Sequence, residues 1–428
     1  MRRSSLTSTS FIRSYNAASI LRTMHEEGAC TRTSLARTTK MSPATVSRII
    51  GQLMGHGIVR EESRIPSSAG RKPVLLRIDY AKLPIVGVEL RRNPATILLS
   101  NLRGERLERR SCQLGTLESE GLISELAGCI DRLIRDSGLE RAQVLGVGLA
   151  VSGVVDHEGG RVVRSLDLDW HDVPVAAVLG RKLGLPALVE NDANAAALAE
   201  LQFGRYSETT SFMYLKTETS VGAGIVLQGE LLNGPGGMAG EIAHVPVIRG
   251  GHPCPCGQRG CLQTYLNVPD VLARYRSLTG EAVERETFFE RALGGDPTAR
   301  RLVDEAAEAL AVASSFAGAL LDVNLVVVGG VWGTFSPSFL QRVEERFQAV
   351  GDRTGLNKKV AVRGSSLGDD SDLMGAIGLV SDRWLNPYGS VPVAGRAGER
   401  RGMLLGARGR PLASARQDDL YLSRGETE

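Results

Sequence analysis

G-E-I-A-H-V-P-V-I-R-G-G-H-P-C-P-C-G-Q-R-G-C-L-Q, residues 240–263, sets Cys254, Cys256 and Cys261 within eight positions, with His244 ten residues ahead of them. Three thiolates and one imidazole complete a tetrahedral Cys₃His shell, the usual composition of a closed structural zinc site. Pro253, Pro255, Gly257 and Gly260 punctuate the run. The segment therefore reads as a loop that takes its shape from one zinc ion per chain. The competing readings are small buried hydrophobes or a disulfide, and a cytosolic chain disfavours the disulfide. His252 also lies nearby, but only two residues from Cys254, so the closing ligand is read as His244, on a separate segment. Glu241 and Gln263 flank the knot, which would hold Glu241, His244 and Gln263 around a small polar ligand.

Outward from this loop, 428 residues allow two or three domains, and 42% apolar with 23% charged residues is ordinary globular composition. No apolar run approaches a membrane span and no apolar signal region opens the chain, so a cytoplasmic protein is expected. Cys30, Cys112 and Cys129 lie scattered in apolar surroundings and read as inert core residues. The net charge of +3 conceals a split: residues 1–85 carry 14 Lys and Arg against 5 Asp and Glu, whereas the remainder is mildly acidic. A polyanionic partner for the first domain alone follows.

Residues 1–13 are polar, basic and expected to be disordered. Residues 14–80 read as a mostly α winged helix-turn-helix. A helix runs from Asn16 to Gly28, and a short one over 33–39 is capped by Thr33. In M-S-P-A-T-V-S-R-I-I-G-Q-L-M, Ser42 is an N-cap and Pro43 takes the first helical position. Val46, Ile49, Ile50 and Leu53 share one face, leaving Ala44, Thr45, Ser47 and Arg48 outward, as a recognition helix requires. Strands over 58–62 and 74–78 flank S-S-A-G-R-K-P, which places Arg71 and Lys72 in a wing. That wing enters a minor groove or serves as a solvated tether; both readings stand. A protein-binding three-helix module is the other reading of the whole domain, and it would not need the positive charge.

From Ile85 the pattern becomes alternating strands and helices, an α/β body over residues 85–385. A hairpin is expected over 85–90 and 96–99, a helix over 121–137 and buried strands over 144–151 and 187–190. The last of these strands leads through Asn191-Asp192 into an Ala-rich helix over 193–203. Asp192 thus sits at the carboxyl end of a strand and the start of a helix, where α/β folds place ligand chemistry. Asn191 or Asp192 could equally cap that helix without any ligand. Strands over 212–216 and 224–228 flank a Gly-containing turn, and a helix over 306–322 feeds a strand over 325–328. The Gly- and Arg-rich stretch 387–428 reads as a disordered tail.

Taken in order, these pieces resemble the ROK family (repressors, open reading frames and kinases). The carrying segments are S-P-A-T-V-S-R at 42–48, E-N-D-A-N-A-A-A-L-A-E at 190–200 and G-P-G-G-M-A-G-E-I-A-H at 234–244. C-P-C-G-Q-R-G-C at 254–261 and V-V-V-G-G at 326–330 complete the set. The resemblance spans about residues 14–385 and implies a two-lobed, actin-like sugar-kinase body with a sugar in its cleft. It also implies that Asn191 and Asp192 hold sugar hydroxyls, Asp192 being the base in kinase members. Glu241 and His244 would line the sugar site, with His244 also a zinc ligand.

The departures carry as much. Kinase members have Asp-x-Gly-Gly-Thr in the first hairpin, whereas residues 89–94 here read E-L-R-R-N-P. Arg91 and Arg92 replace the glycines and close the backbone approach, Pro94 removes a donor, and Glu89 replaces the aspartate. ATP binding and phosphoryl transfer should be lost or badly crippled, because positioning supplies nearly all of that catalysis. Gln263 stands where the family has Glu, Asp167 where many members have Asn, and Ser220 replaces a glycine. Sugar identity therefore does not carry over. The expectation is a DNA-binding regulator, a repressor of carbohydrate-utilisation genes, sensing a sugar or sugar phosphate. It would read a palindromic double-stranded operator as a homodimer or homotetramer. A sugar kinase with a fused DNA-binding domain, or a regulator controlled by a protein partner, are the rivals.

Overall fold

The computed structural model describes residues 9–64, 74–206, 209–217, 219–354 and 359–386. Residues 1–8, Arg71 and Lys72 of the wing, and the tail from 387 lie outside them.

The N-terminal domain begins with α1 (Thr9–Glu27), so residues 9–13, expected to be disordered, belong to its first turns. Gly28 (φ 77°) ends it. The next helix, α2 (Arg32–Thr39), corrects the expected cap: Thr31, not Thr33, accepts from the Ser34 N–H, and the Ser34 hydroxyl answers the Thr31 N–H. Such a reciprocal box satisfies two orphan donors, which Thr33, two residues too late, cannot do. Thr33 is exposed instead. In α3 (Pro43–Gly55), Ser42 accepts from the Thr45 N–H at 3.2 Å, and Val46, Ile49, Ile50 and Leu53 are buried. Then β1 (Val59–Arg64) and β2 (Val74–Ile78) pair antiparallel.

The body opens with β3 (Pro84–Leu90), β4 (Ala95–Asn101), β5 (Arg106–Cys112) and α4 (Ser119–Asp136). It continues through β6 (Val147–Val151), β7 (Val154–Asp156), β8 (Arg161–Ser165), β9 (Trp170–Val173), α5 (Val175–Leu183) and β10 (Ala187–Asn191). The first lobe is a sheet in the order β10-β6-β3-β4-β5, with β7, β8 and β9 as a small separate sheet. The Cys112 and Cys129 expectation is corrected here: they form a disulfide, because the end of β5 lies against α4. Cys30 is buried as a lone thiol.

From α6 (Asp192–Phe203) the chain enters the second lobe: β11 (Phe212–Lys216), β12 (Gly222–Leu227), β13 (Glu230–Leu231), α7 (Gln263–Leu266), α8 (Val268–Thr279) and α9 (Arg285–Gly294). Next come α10 (Pro297–Leu321), β14 (Leu325–Val328), α11 (Val331–Thr334), α12 (Pro337–Thr354), β15 (Ala361–Gly364) and α13 (Ser371–Leu385). Its sheet runs β13-β12-β11-β14-β15, so both lobes pair an antiparallel hairpin with parallel strands. The longest helix, α10, starts nine residues before the expected one because Asp296 caps it and Pro297 fills its first position. Among the described residues no helix is long and apolar enough to cross a membrane.

Helices α6 and α13 lie between the lobes, and small residues set how closely. A Cβ at Gly148 of β6 would stand 1.8 Å from the Ala376 carbonyl of α13. One at Gly224 of β12 would stand 2.4 Å from the Ala193 carbonyl of α6. Each sheet thus receives one helix at backbone distance, and the two helices meet through Ala195 and Ala376. One face of α13 also joins the N-terminal domain: Leu373, Met374, Ile377 and Val380 share one apolar cluster with Ile20, Met24, Leu35 and Ile50. Arg22 of α1 donates to Asn386, just past α13, at 2.6 Å.

Candidate functional site

Four segments converge where the lobes meet, each delivering a charge to the end of an element. Glu89 comes from the end of β3, Asp192 from the first turn of α6, Lys216 from the end of β11, and Asp372 from the first turn of α13. They are 7%, 8%, 9% and 7% exposed, depths at which charged groups survive only in pairs. The Lys216 ammonium donates to Asp192 Oδ2 at 2.7 Å and to Asp372 Oδ2. Arg91 pairs with Glu89, approaches Asp372 at 3.7 Å and donates across the cleft to Thr219 at 3.4 Å. The arginine that replaces a cradle glycine therefore fills the turn and ties the two lobes together. Arg92 contributes its backbone N–H to Asp167 Oδ2 at 3.0 Å, so exposed Asp167 braces the same turn.

The electrostatics follow from three carboxylates sharing two cations. Burial opposes the Lys216 charge, but Asp192 and Asp372 outweigh it and hold its pKa above the ordinary lysine value. Asp372 carries the excess: burial first, with Asp192 and Glu89 adding, pushes its carboxyl up to about 6 against the pull of Lys216. Glu241 is raised by burial of its carboxyl end and then by the Asp192 charge, although the side chain as a whole is exposed.

Asn191 caps α6, as the ligand-free alternative had it, accepting from the N–H groups of Ala193 at 2.9 Å and Asn194 at 3.1 Å. Its amide donates to the Gly153 carbonyl, fixing the loop beside the cleft. Gln263 opens α7 and turns its side chain to Asp270. Sequence reasoning missed a polar rim next to Asp192: Glu190 accepts from Asn194 at 3.2 Å, and Asn233 reaches both Glu190 and His157. It also missed Lys216 and Asp372. A lysine closing the apolar run F-M-Y-L-K was the available signal for the first. Asp372, 180 positions from Asp192, had none.

In the 240–263 loop, the donor atoms of His244, Cys254, Cys256 and Cys261 all lie within 4.8 Å of one another, a group able to hold a metal ion. A tetrahedral zinc shell has S···S edges of roughly 3.8 Å and S···N edges of roughly 3.6 Å, from its bond lengths. Cys256 to Cys261 is 3.7 Å and Cys254 to His244 Nδ1 is 3.5 Å, which fits. His252 is turned away, its Nε2 3.1 Å from Glu305.

In the N-terminal domain, α3 exposes Ser42, Ala44, Ser47 and Arg48, with Thr45 half-buried and bonded to Ser42 at 2.9 Å. Arg48 touches only neutral Gln52 at 3.3 Å and has no carboxylate partner among the described residues.

Residues 14–64 match the MarR family and residues 85–383 the ROK family. A xylose repressor from Caldicellulosiruptor bescii is 27% identical over 388 residues, covering 86% of this chain and 96% of the repressor. A glucokinase from Halalkalibacterium halodurans is 27% identical over 319 residues, covering 70% of this chain and 95% of the kinase. Among solved structures, a ROK family transcriptional regulator, a homologue of the Escherichia coli MLC protein, superposes with a TM-score of 0.76 at 23% identity. That superposition covers 87% of this chain and 97% of the regulator, and it shows the fold alone. The repressor match needs the N-terminal domain, whereas the kinase match has about the length of the body. With the ROK match covering well over half of its length, the chain belongs to the ROK family.

Proposed function

We propose that this chain is a sugar-responsive transcriptional repressor of carbohydrate-utilisation genes, acting in the cytoplasm as a homodimer or homotetramer on a palindromic operator. The observation that carries this reading is the pairing, in one chain, of an exposed, unneutralised recognition helix with a sugar-kinase cleft whose phosphate turn is filled. Arg91 occupies that turn and bridges it to Thr219, where a nucleotide would need open backbone amides. The body therefore keeps a place for a sugar and gives up the transfer.

In this reading Asp192, Asn191, Glu241, His244, Gln263 and Asp167 surround the sugar. Asp192 and Glu241 supply carboxylate acceptors for hydroxyls, and the cap made by Asn191 sets the position of Asp192. His244, Cys254, Cys256 and Cys261 hold one structural zinc, which when bound fixes the loop presenting Glu241. Ser42, Ala44, Thr45, Ser47 and Arg48 meet the operator, with Thr33 on the preceding helix and Arg71 and Lys72 in the wing beside them. The route between the sites is α13, which carries Asp372 in its first turn and ends against α1 through the Arg22–Asn386 bond. A cavity of about 470 Å³ between the domains, lined by His25, Tyr80, Arg103 and Met374, leaves room for them to shift. Sugar must bind the DNA-bound and free forms unequally for this coupling to work.

The test is a thermal-shift screen of sugars and sugar phosphates with a parallel ATP–Mg²⁺ arm, followed by operator anisotropy with any hit. One sugar should raise Tm and change operator affinity while ATP–Mg²⁺ does neither. Stabilisation by ATP–Mg²⁺ together with sugar-phosphate formation would overturn the reading in favour of a kinase.

A further inference from the structure

Lys216 is a charged end on an apolar strand, and the mechanism above makes no use of it. Its ammonium reaches two carboxylates from two different helices, Asp192 of α6 and Asp372 of α13, while Arg91 takes the third, Glu89. A base that removes a hydroxyl proton needs a free lone pair aimed at that proton. Asp192 has little to offer: Oδ2 receives Lys216 at 2.7 Å and Ser220 at 3.4 Å, and Oδ1 receives the Ala193 N–H at 2.9 Å.

We infer that Lys216 is the resident cation of the cleft: a positioning residue that keeps Asp192 permanently paired and, with Arg91 on Glu89, holds Asp192 and Asp372 together in the place a metal ion could take. Asp192 then presents its remaining lone pairs to a sugar as fixed acceptors. The inference deepens the silenced-cleft reading above, but its test uses no sugar, so a failed sugar screen leaves it untouched.

The experiment compares the parent with Lys216→Met, Lys216→Arg and Lys216→Met/Asp192→Asn, using Mn²⁺ as the probe and the free Mn²⁺ signal in electron paramagnetic resonance as readout. Removing the ammonium while keeping its length should leave the carboxylates seeking a cation. K216M should therefore bind one Mn²⁺ at least about tenfold more tightly than the parent, and Mn²⁺ should raise its Tm. K216R should behave as the parent, and the double variant should lose the gain. The parent carries the same Cys₃His loop, so metal taken up there cancels in the comparison. Equal Mn²⁺ affinity in K216M and the parent, or equal gain in K216R, would overturn the inference. If K216M refolds poorly, Mn²⁺ should restore the yield where matched NaCl does not; no such rescue also overturns it.

Discussion

Two charged regions of this protein are built on opposite principles. On α3 the cation is left exposed, with Arg48 touching only the neutral Gln52. In the cleft, Lys216 and Arg91 are matched internally to Asp192, Asp372 and Glu89. A cation without a carboxylate partner is available to a polyanion, whereas cations already matched to buried carboxylates offer a nucleotide nothing. In the proposed reading, the same kind of charge invites a phosphate on α3 and closes the cleft to one. Each prediction below removes one member of this contrast.

The largest effect should come from the loop that frames the cleft. Cys256→Ala removes a thiolate from a four-donor group, and structural zinc sites supply about 10–16 kcal/mol of apparent binding energy at neutral pH. The loop should lose its order and the protein its zinc and its response to sugar. Operator affinity measured without sugar should stay within about twofold, because α3 lies in another domain. Metal analysis and anisotropy on the same sample decide it; a fully ligand-responsive parent without metal would contradict the structural role.

Next comes Asp192. Replacing it with Ala takes one of two partners from a buried ammonium, and breaking a buried pair costs about 3–5 kcal/mol. Urea unfolding should register a loss at or below the lower figure, because Asp372 remains on Lys216. Operator affinity without sugar should be unchanged and the sugar's effect on it abolished. If the variant answers sugar as the parent does, the cleft is not the sensor.

Asp372 gives a pH signature. Its carboxyl is raised to about 6 from an ordinary value of 3.8, so the native protein holds this proton more tightly than the unfolded chain. Between those values the unfolded state binds fewer protons, and stability must fall as pH rises. One pKa unit corresponds to about 1.4 kcal/mol, giving roughly 3 kcal/mol at most across the window. Asp372→Asn should flatten that part of the profile, even though its baseline is lowered by the lost partner of Lys216. An unchanged slope from pH 4 to 6 would show that the excess charge resides on Glu190 or Glu241, whose carboxyls are also raised.

The two regions were unequally legible in the sequence. The α3 helix announces itself locally: Ser42-Pro43 starts it, and Val46, Ile49, Ile50 and Leu53 mark its buried face within a dozen residues. The four-donor loop is legible for the same reason, since its donors are neighbours in the chain. The cap of α2 was misplaced because Thr31, Thr33 and Ser34 all offer hydroxyls and only the closed box distinguishes them. The cleft was half legible. Asp192 and the arginines at 91 and 92 show in their own segments, but what they do depends on partners brought from β11 and α13. The Cys112–Cys129 disulfide was hidden likewise, by a packing of β5 on α4 that no local pattern encodes.

The smallest effect on the folded protein, and the sharpest on the contrast, belongs to Arg48. Its guanidinium is exposed and makes one bond to Gln52, so Arg48→Ala should change stability by no more than about 0.5 kcal/mol. Operator binding should nonetheless weaken, by roughly 1–3 kcal/mol with relaxed preference at one base pair if the side chain reads a base edge. If it contacts only phosphate, affinity should fall about equally on all sequences and the salt slope should drop by roughly one. Anisotropy at two salt concentrations, on the operator and on a scrambled duplex, separates these cases. The cleft variants should leave that salt slope unchanged, because their charges are spent inside the protein. A loss of slope in the Asp192 variant equal to that of Arg48→Ala would mean that the two regions act as one charged surface, and the contrast between them would fall.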